Sequence, residues 1–169
     1  MPDIPARPAG LDKPIVVRII RVASAANTWL YRKTDGRLGG KWRVMAGFRK
    51  PVDVLLLTVT GRSSGLPRTV PLLFLADGDD FVVVASSGGL PDNPQWLRNL
   101  MVAPSVHVQV RREHHDMNAH VVDAQERERL WPRLIEVYAD FDTYDAWTDR
   151  DIPVVRLQAS SVRRPGRDR

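Results

Sequence analysis

Between positions 15 and 32 apolar residues recur every three to four places, at Ile15, Ile19, Val22, Ala26 and Leu30, with Arg18, Arg21 and Arg32 on the remaining face. This spacing predicts a basic amphipathic helix. From Val54 to Thr60 the pattern becomes a continuous apolar, β-branched run closed by Gly61, which reads as a buried strand. Arg68 to Ala76 predicts a second strand, turning at Asp77-Gly78-Asp79-Asp80 into a third from Phe81 to Ser86. Pro94 fits the first position of a helix whose apolar side is Trp96, Leu97, Leu100 and Met101. Val106, Val108 and Val110 then alternate with His107, Gln109 and Arg111, and Met117 to Val122 pairs back across a turn near Glu113. Asp123 caps a helix with the stripe Leu130, Leu134 and Val137, which Pro132 should kink or restart. A short helical piece from Phe141 to Trp147 and a sixth strand from Ile152 to Leu157 complete the pattern.

Six strands joined by short links cannot be wound as parallel crossovers, so the expected fold is α+β, mainly β: a split antiparallel barrel with flanking helices. The folded domain is expected over residues 15–158. A Pro-rich arm, 1–14, and an Arg-rich tail, 159–169, are expected to be disordered.

The chain has no cysteine, which excludes disulfides, thiolate metal sites and a cysteine nucleophile; any redox chemistry must come from a bound cofactor. No apolar stretch approaches the roughly 18 residues of a membrane span, and no cleavable leader pattern opens the chain, so a cytoplasmic protein is expected. Charge is segregated: residues 1–50 carry +8, 51–158 carry −6 and 159–169 carry +3. A basic first third points to a polyanion or an anionic membrane surface. Nucleic acid is not expected, because no stacking platform or helix-turn-helix pattern accompanies the arginines.

Two stretches are candidates for chemistry. Thr60-Gly61-Arg62-Ser63-Ser64-Gly65-Leu66-Pro67-Arg68 places two glycines, two serines and two arginines on one strand-to-strand link, a composition that can cradle a phosphate or form an ordinary hairpin. It lacks the Gly-Lys-Ser/Thr ending of a Walker loop. Val84-Ala85-Ser86-Ser87-Gly88-Gly89, followed by Gln95 and Asn99, is a strand ending in small residues against which a flat ring can lie. His107, His114, His115 and His120 lie on a strand pair and its turn without metal-ligand spacing, so no metal is expected.

Taken in order, these stretches resemble the deazaflavin-dependent nitroreductase family, split-barrel oxidoreductases that use the 8-hydroxy-5-deazaflavin coenzyme F420. The matching residues are Trp29-Leu30-Tyr31-Arg32, Gly36 to Lys41, Leu55 to Thr58, Gly61 to Pro71, Ala85 to Asn99 and Tyr144 to Pro153. The resemblance implies that Arg62, Ser63, Ser64 and Arg68 hold the coenzyme phosphate. It implies that Val84, Ala85, Ser86, Ser87, Gln95 and Asn99 border the ring, and that Arg37 and Lys41 meet the anionic tail. It further implies Tyr144, then Tyr138, as proton donors, with Phe141, Leu73 and Leu97 lining the pocket of a small-molecule hydride acceptor. The chain departs from the family pattern at Ser63 and Ser87, where lysines are common, and at Leu73 and Leu97, where aromatics are common. Such a protein would be a monomer or homodimer passing a hydride to a quinone, nitro-compound or enone, peripheral to a membrane if the basic helix docks there. FMN on the same architecture, or a fatty acid in a non-catalytic barrel, are the competing ligands.

Overall fold

The computed structural model describes residues 26, 28–37, 41–42 and 52–159. The expected arm lies outside these, as do residues 160–169 of the expected tail, whose first residue, Ala159, is instead in the last strand; most of the Ile15–Arg32 helix is outside too, and residue 26 and residues 28–33, here α1, are described as helical. The strands are β1 (Lys41–Trp42), β2 (Val52–Thr60), β3 (Pro67–Asp77), β4 (Asp80–Val84), β5 (Ser105–Val110), β6 (Glu113–Val121) and β7 (Val154–Ala159). The helices after α1 are α2 (Gln95–Leu100), α3 (Ala124–Val137) and α4 (Asp140–Ala146), with a 3-10 turn at Ser87–Gly89. The six long strands are the six expected; the two-residue β1, lying along the start of β2, was not.

All pairings are antiparallel, in the order β1-β2-β3-β4-β7-β6-β5, and β5 returns to pair with β2 and close a barrel. That closure is short, covering only Leu56–Thr58 against Gln109–His107. Beyond it the two strands part, and a groove of about 360 Å³ opens between Thr60 and Gly65 on one side and Ser105 and His107 on the other.

Alternation explains the core. Leu55, Leu57 and Val59 of β2 point into the barrel with Val83, Val108, Met117, Val155 and Leu157, and Trp96, Leu97 and Leu100 of α2 join that same cluster. Val54 and Leu56 point outward, under Tyr31 of α1. Val82, Val84 and Val154 point outward too, under Leu130 and Leu134 of α3 and Phe141 of α4. Strands covered on both faces are apolar at consecutive positions, which is why Val54–Leu57 reads as an unbroken run.

Three expectations need correction. Pro132 does not restart α3, which is one helix from Ala124 to Val137; Pro132 is exposed, so the carbonyl it deprives of a partner lies on the solvent side. Met101 is 67 % exposed rather than on the apolar side of α2, because the helix ends at Leu100. Pro94 serves as N-cap rather than first helical residue. The Asp123 cap is as expected, its Oδ1 accepting from the Glu126 N–H at 2.8 Å.

Arg156 of β7 fastens α3 to the barrel. Its guanidinium, nearly buried, donates to Asp77, Asp80 and Glu126 at 2.9, 3.1 and 2.5 Å. At the opposite side Tyr31, fully buried, donates to the Val54 carbonyl and accepts from the Arg111 N–H.

Candidate functional site

Both candidate stretches lie at one end of the barrel, where β2 ends and β3 begins and where β4 ends. The Gly61–Leu66 loop is closed by its own backbone, with the Gly61 N–H donating to Leu66 O at 2.9 Å and the Gly65 N–H to Gly61 O at 2.7 Å. Ser64 Oγ accepts from the Leu66 N–H at 3.3 Å, so part of its role is to shape the turn.

Arg62 joins the two stretches. Its guanidinium donates to Gln95 Oε1 at 2.8 Å and to Asn99 Oδ1 at 3.1 Å, and its backbone N–H donates to the same Asn99 oxygen at 3.3 Å. Asn99 is buried; α2 thereby holds the loop beside the Ala85–Asn93 segment. Ser63 and Arg68 are exposed on the loop and on the first residues of β3.

The second stretch turns sharply. Ser86 is right-handed, and Ser87, Gly88 and Gly89 follow with φ of 52°, 64° and 72°. A right-handed residue followed by a left-handed one curls successive N–H groups to one concave side, a geometry that receives anions and ring carbonyls. A Cβ on Gly88 would meet nothing within 4 Å, whereas one on Gly89 would come within 3.1 Å of Trp147 Cβ and 3.2 Å of the Tyr144 carbonyl. Gly88 therefore leaves its backbone open to a flat ligand, and Gly89 lets α4 pack directly on the turn.

Arg150 clamps this segment. Its guanidinium donates to the carbonyls of Ala85 (3.0 Å), Ser86 (2.9 Å) and Leu90 (3.0 Å) and to Asn93 Oδ1 (2.9 Å). Burial pulls it below the usual arginine value, and the nearby charges of Asp145 and Asp92 oppose that shift. The sequence offered Arg150 and Asn93 only inside matching stretches; nothing in a linear pattern distinguishes a buried clamp from a surface arginine.

On α4 the Tyr144 ring lies 5.6 Å from Trp147 and 6.0 Å from Tyr138, and the two phenol oxygens are 2.9 Å apart. Tyr138 Oη donates to Asp140 Oδ2 at 2.9 Å. Burial raises both phenols above their ordinary values, so each is neutral at neutral pH.

Several expected site residues are elsewhere. Phe141 is 4 % exposed and packs edge-on to Tyr138 in the cluster beneath α3. Leu97 is 1 % exposed in the barrel core. Leu73 faces outward from β3 toward Tyr31 and the α3 cluster, since its neighbour Leu72 takes the inward position. Leu97 and Phe141 thus offer almost no exposed surface, while Leu73 shares its cluster with Tyr138 and Tyr144; of the two positions that favoured an apolar ligand, Leu97 is closed off in the core. Val84 and Ala85 are buried and contribute backbone alone. Arg37 and Lys41 are at the far end of the barrel: Gly36 abuts Arg111, and Lys41 stands opposite Asp53. The strand from Asp53 to Thr60, at about 3.3 Å per residue, puts some ~20 Å between them and the Gly61–Leu66 loop.

Two of the four histidines pair on the surface, with His107 Nδ1 at 2.9 Å from Asp116 and Nε2 at 3.0 Å from His114 Nδ1; His115 instead packs against Phe81, and His120 lies opposite Arg156 in the sheet. Among the described residues no three potential metal donors converge.

Residues 23–159 match the model of the F420H(2)-dependent quinone reductase family. The chain belongs to this family. Rv1261c of Mycobacterium tuberculosis, named an F420H(2)-dependent quinone reductase, is 33 % identical over 150 residues, covering 87 % of this chain and 94 % of the relative. Rv3178 of the same organism, provisionally named for the same activity, is 47 % identical over 116 residues, covering 69 % and 98 %. The solved structure of an F420-H2 dependent reductase, FDR-A, is 34 % identical and superposes with a TM-score of 0.59, covering 69 % of this chain and all of that one. Membership of the quinone reductase family and a split barrel agree with the resemblance read from the Gly61–Pro71 and Ala85–Asn99 stretches.

Proposed function

We propose that this chain reduces a quinone with F420H2, the coenzyme lying along the Gly61–Leu66 loop and the Ser86–Gly88 turn. The observation that carries the reading is the pair of bonds from Arg62 to Gln95 and Asn99, which ties the Gly61–Leu66 loop to the second candidate stretch across 33 and 37 residues of sequence. The residues fit an anionic, ring-bearing ligand: a concave backbone turn, an open face at Gly88 and exposed guanidinium and hydroxyl groups at Arg68 and Ser63.

When bound, reduced deazaflavin supplies a hydride, two electrons with one hydrogen. The chain's part is position and proton. Arg68, Arg62, Ser63 and Ser64 hold the phosphate; Ser86, Ser87, Gln95 and Asn99 border the ring, with the Arg150 clamp fixing the backbone of Ala85 and Ser86 beneath it. Tyr144, packed on the Gly89 turn and neutral at working pH, donates a proton to the acceptor's oxygen, and Tyr138 backs it.

Docking to an anionic membrane, where a lipid-soluble quinone resides, belongs to the same proposal. It is supported by Trp29, 62 % exposed on α1, between exposed basic residues Arg32 and Lys33 and the basic segment that precedes them. Among the described residues no helix is long and apolar enough to cross a membrane.

Titration of the purified protein with F420, followed by ring fluorescence, tests the reading: binding should saturate, and Arg68→Ala should weaken it by about tenfold or more, the loss of one charge-assisted contact. A protein that never saturates with F420, or that purifies yellow with FMN, refutes it. Co-sedimentation with anionic vesicles tests the membrane component.

A further inference from the structure

A phenol has one proton to donate. Tyr138 Oη is 2.9 Å from Asp140 Oδ2 and 2.9 Å from Tyr144 Oη. An ionised carboxylate only accepts, and a hydrogen bond to it is stronger than one to a second phenol, so the Tyr138 proton points to Asp140. Tyr144 must then donate to Tyr138. The bonds run in one direction, from Tyr144 through Tyr138 to Asp140, and engage the Tyr144 proton with Tyr138, so that it is not offered to a ligand.

A proton on Asp140 reverses the order: the carboxylic acid donates to Tyr138, Tyr138 donates to Tyr144, and the Tyr144 proton is released outward. Asp140 stands in the first turn of α4 and is only partly buried, so solvent reaches it, while both phenols pack against the Leu130–Leu134–Phe141 cluster. The charged groups on the packed elements are otherwise engaged. Arg127 of α3 is held by Asp145 at 2.8 Å and by the Ile152 carbonyl, and Arg133 by Asp77. Arg150 is held by the carbonyls of the clamp. Among the described contacts Asp140 accepts from Tyr138, and its charge also acts on Tyr144.

We propose that Asp140 is the proton inlet and positioning residue of this site, setting the direction of the Tyr138–Tyr144 chain and restoring from solvent the proton that Tyr144 gives to the acceptor. The inference rests on the quinone reductase reading for the identity of the acceptor. With both electrons and one hydrogen arriving as hydride, the second hydrogen arrives as a proton: an O–H bond forms on the acceptor as that of Tyr144 breaks. The Tyr138 proton passes to Tyr144, the Asp140 proton to Tyr138, and a solvent proton returns to Asp140. No further reductant or oxidant is required.

The sequence holds three tyrosines, and Tyr31 is on another face of the barrel, so each phenol can be followed separately. Full-length protein labelled with 13Cζ-tyrosine, free of coenzyme, is titrated by NMR as wild type, Asp140→Asn and Tyr138→Phe. In Asp140→Asn the Tyr138 and Tyr144 signals should shift and begin to titrate at lower pH, because the negative charge that opposes tyrosinate formation is gone; Tyr31 should not move. With F420H2 and a soluble quinone, Asp140→Asn should lower turnover about tenfold to a hundredfold, with unchanged F420 affinity, a larger solvent isotope effect and partial rescue by Asp140→Glu. Tyr138→Phe interrupts the same chain and should reproduce the turnover defect while shifting the Tyr144 signal, which keeps the test decisive if Asp140→Asn does not fold. Unchanged phenol signals in a folded variant, or wild-type turnover in Asp140→Asn, overturn the inlet and leave the quinone reductase reading standing. Wild-type protein that never binds F420 overturns that reading, and the inlet with it.

Discussion

Replacing Arg150 probes how the tertiary structure prepares the Ser86–Gly89 turn, which we propose receives the ring. Its guanidinium reaches four acceptors on three residues' backbone and one side chain, all within 3.0 Å. A hydrogen bond from a charged donor contributes on the order of 1.5–3 kcal/mol, but water can replace the bonds to Ser86, Leu90 and Asn93, which are half-buried. The Ala85 carbonyl belongs to a residue with no exposure and has no such substitute. A net cost of about 3 kcal/mol for Arg150→Ala follows from one fully lost bond and three partly replaced ones. If that cost falls on the folded turn, F420 affinity drops by about a hundredfold. Arg150→Lys, a point charge without the fork, can satisfy one or two acceptors and should lose about tenfold. Fluorescence titration with F420 measures the affinities, and hydrogen exchange over residues 85–93 locates the loosening. An Arg150→Ala protein that binds F420 within twofold of wild type, with unchanged exchange at 85–93, would refute the reasoning.

Arg156→Met should destabilise the protein by about 3–5 kcal/mol at pH 7, since it leaves Asp77, Asp80 and Glu126 converging without their shared cation. Hydrogen bonds from Arg133 and then Arg156 hold the Asp77 carboxyl below its usual value; its stabilising contribution is therefore present above the unfolded carboxylate value of about 3.9 and is lost as pH falls through the lower folded value. The variant lacks the Arg156 part of that stabilisation, so its deficit should persist from pH 7 to 4 and shrink below about 4 as Asp77 takes up a proton, read by urea denaturation across that range. Tyr31→Phe strands the Val54 carbonyl and the Arg111 N–H and should cost about 1–3 kcal/mol in the same assay, with F420 affinity unchanged because the bonds are at the other end of the barrel. Gly89→Ala places a methyl 3.1 Å from Trp147 Cβ and should lower turnover more than tenfold by lifting α4 from the turn. Gly88→Ala, whose methyl meets no protein atom within 4 Å, should cost only about 1 kcal/mol of backbone strain in stability, yet weaken F420 binding because the methyl projects onto the face offered to the ring.

The alternation of apolar residues was enough to locate the six long strands and the helices that follow the barrel, because each strand face must match what covers it. Val54–Leu57 is continuous since Tyr31 covers one face and the barrel interior the other. The β1 pairing was illegible: two residues, Lys41 and Trp42, held by the register of β2, leave no periodic trace. At the site, the loop and the turn could be recognised from composition and from family resemblance, since glycines, hydroxyls and arginines are the residues such geometry requires.

Which of those residues meet was not legible. A strand alternates faces, so whether Leu73 looks toward a pocket or toward α1 depends on register, and register is fixed only when all six strands close. Likewise Leu97 and Phe141 are apolar residues on short helices, and packing sent both into the core. Basic residues near the N-terminus suggested contact with the anionic tail, but only the fold shows that β2 separates Arg37 and Lys41 from Arg62 by the length of the barrel. Sequence by itself determined the elements and the kinds of chemistry available, because periodicity and residue type are local. Tertiary structure alone decided that Arg62 binds α2, that Arg150 holds the turn and that Asp140 orders the phenols. Long-range hydrogen bonds are selected by the closed barrel, and neighbours along the chain carry no record of them.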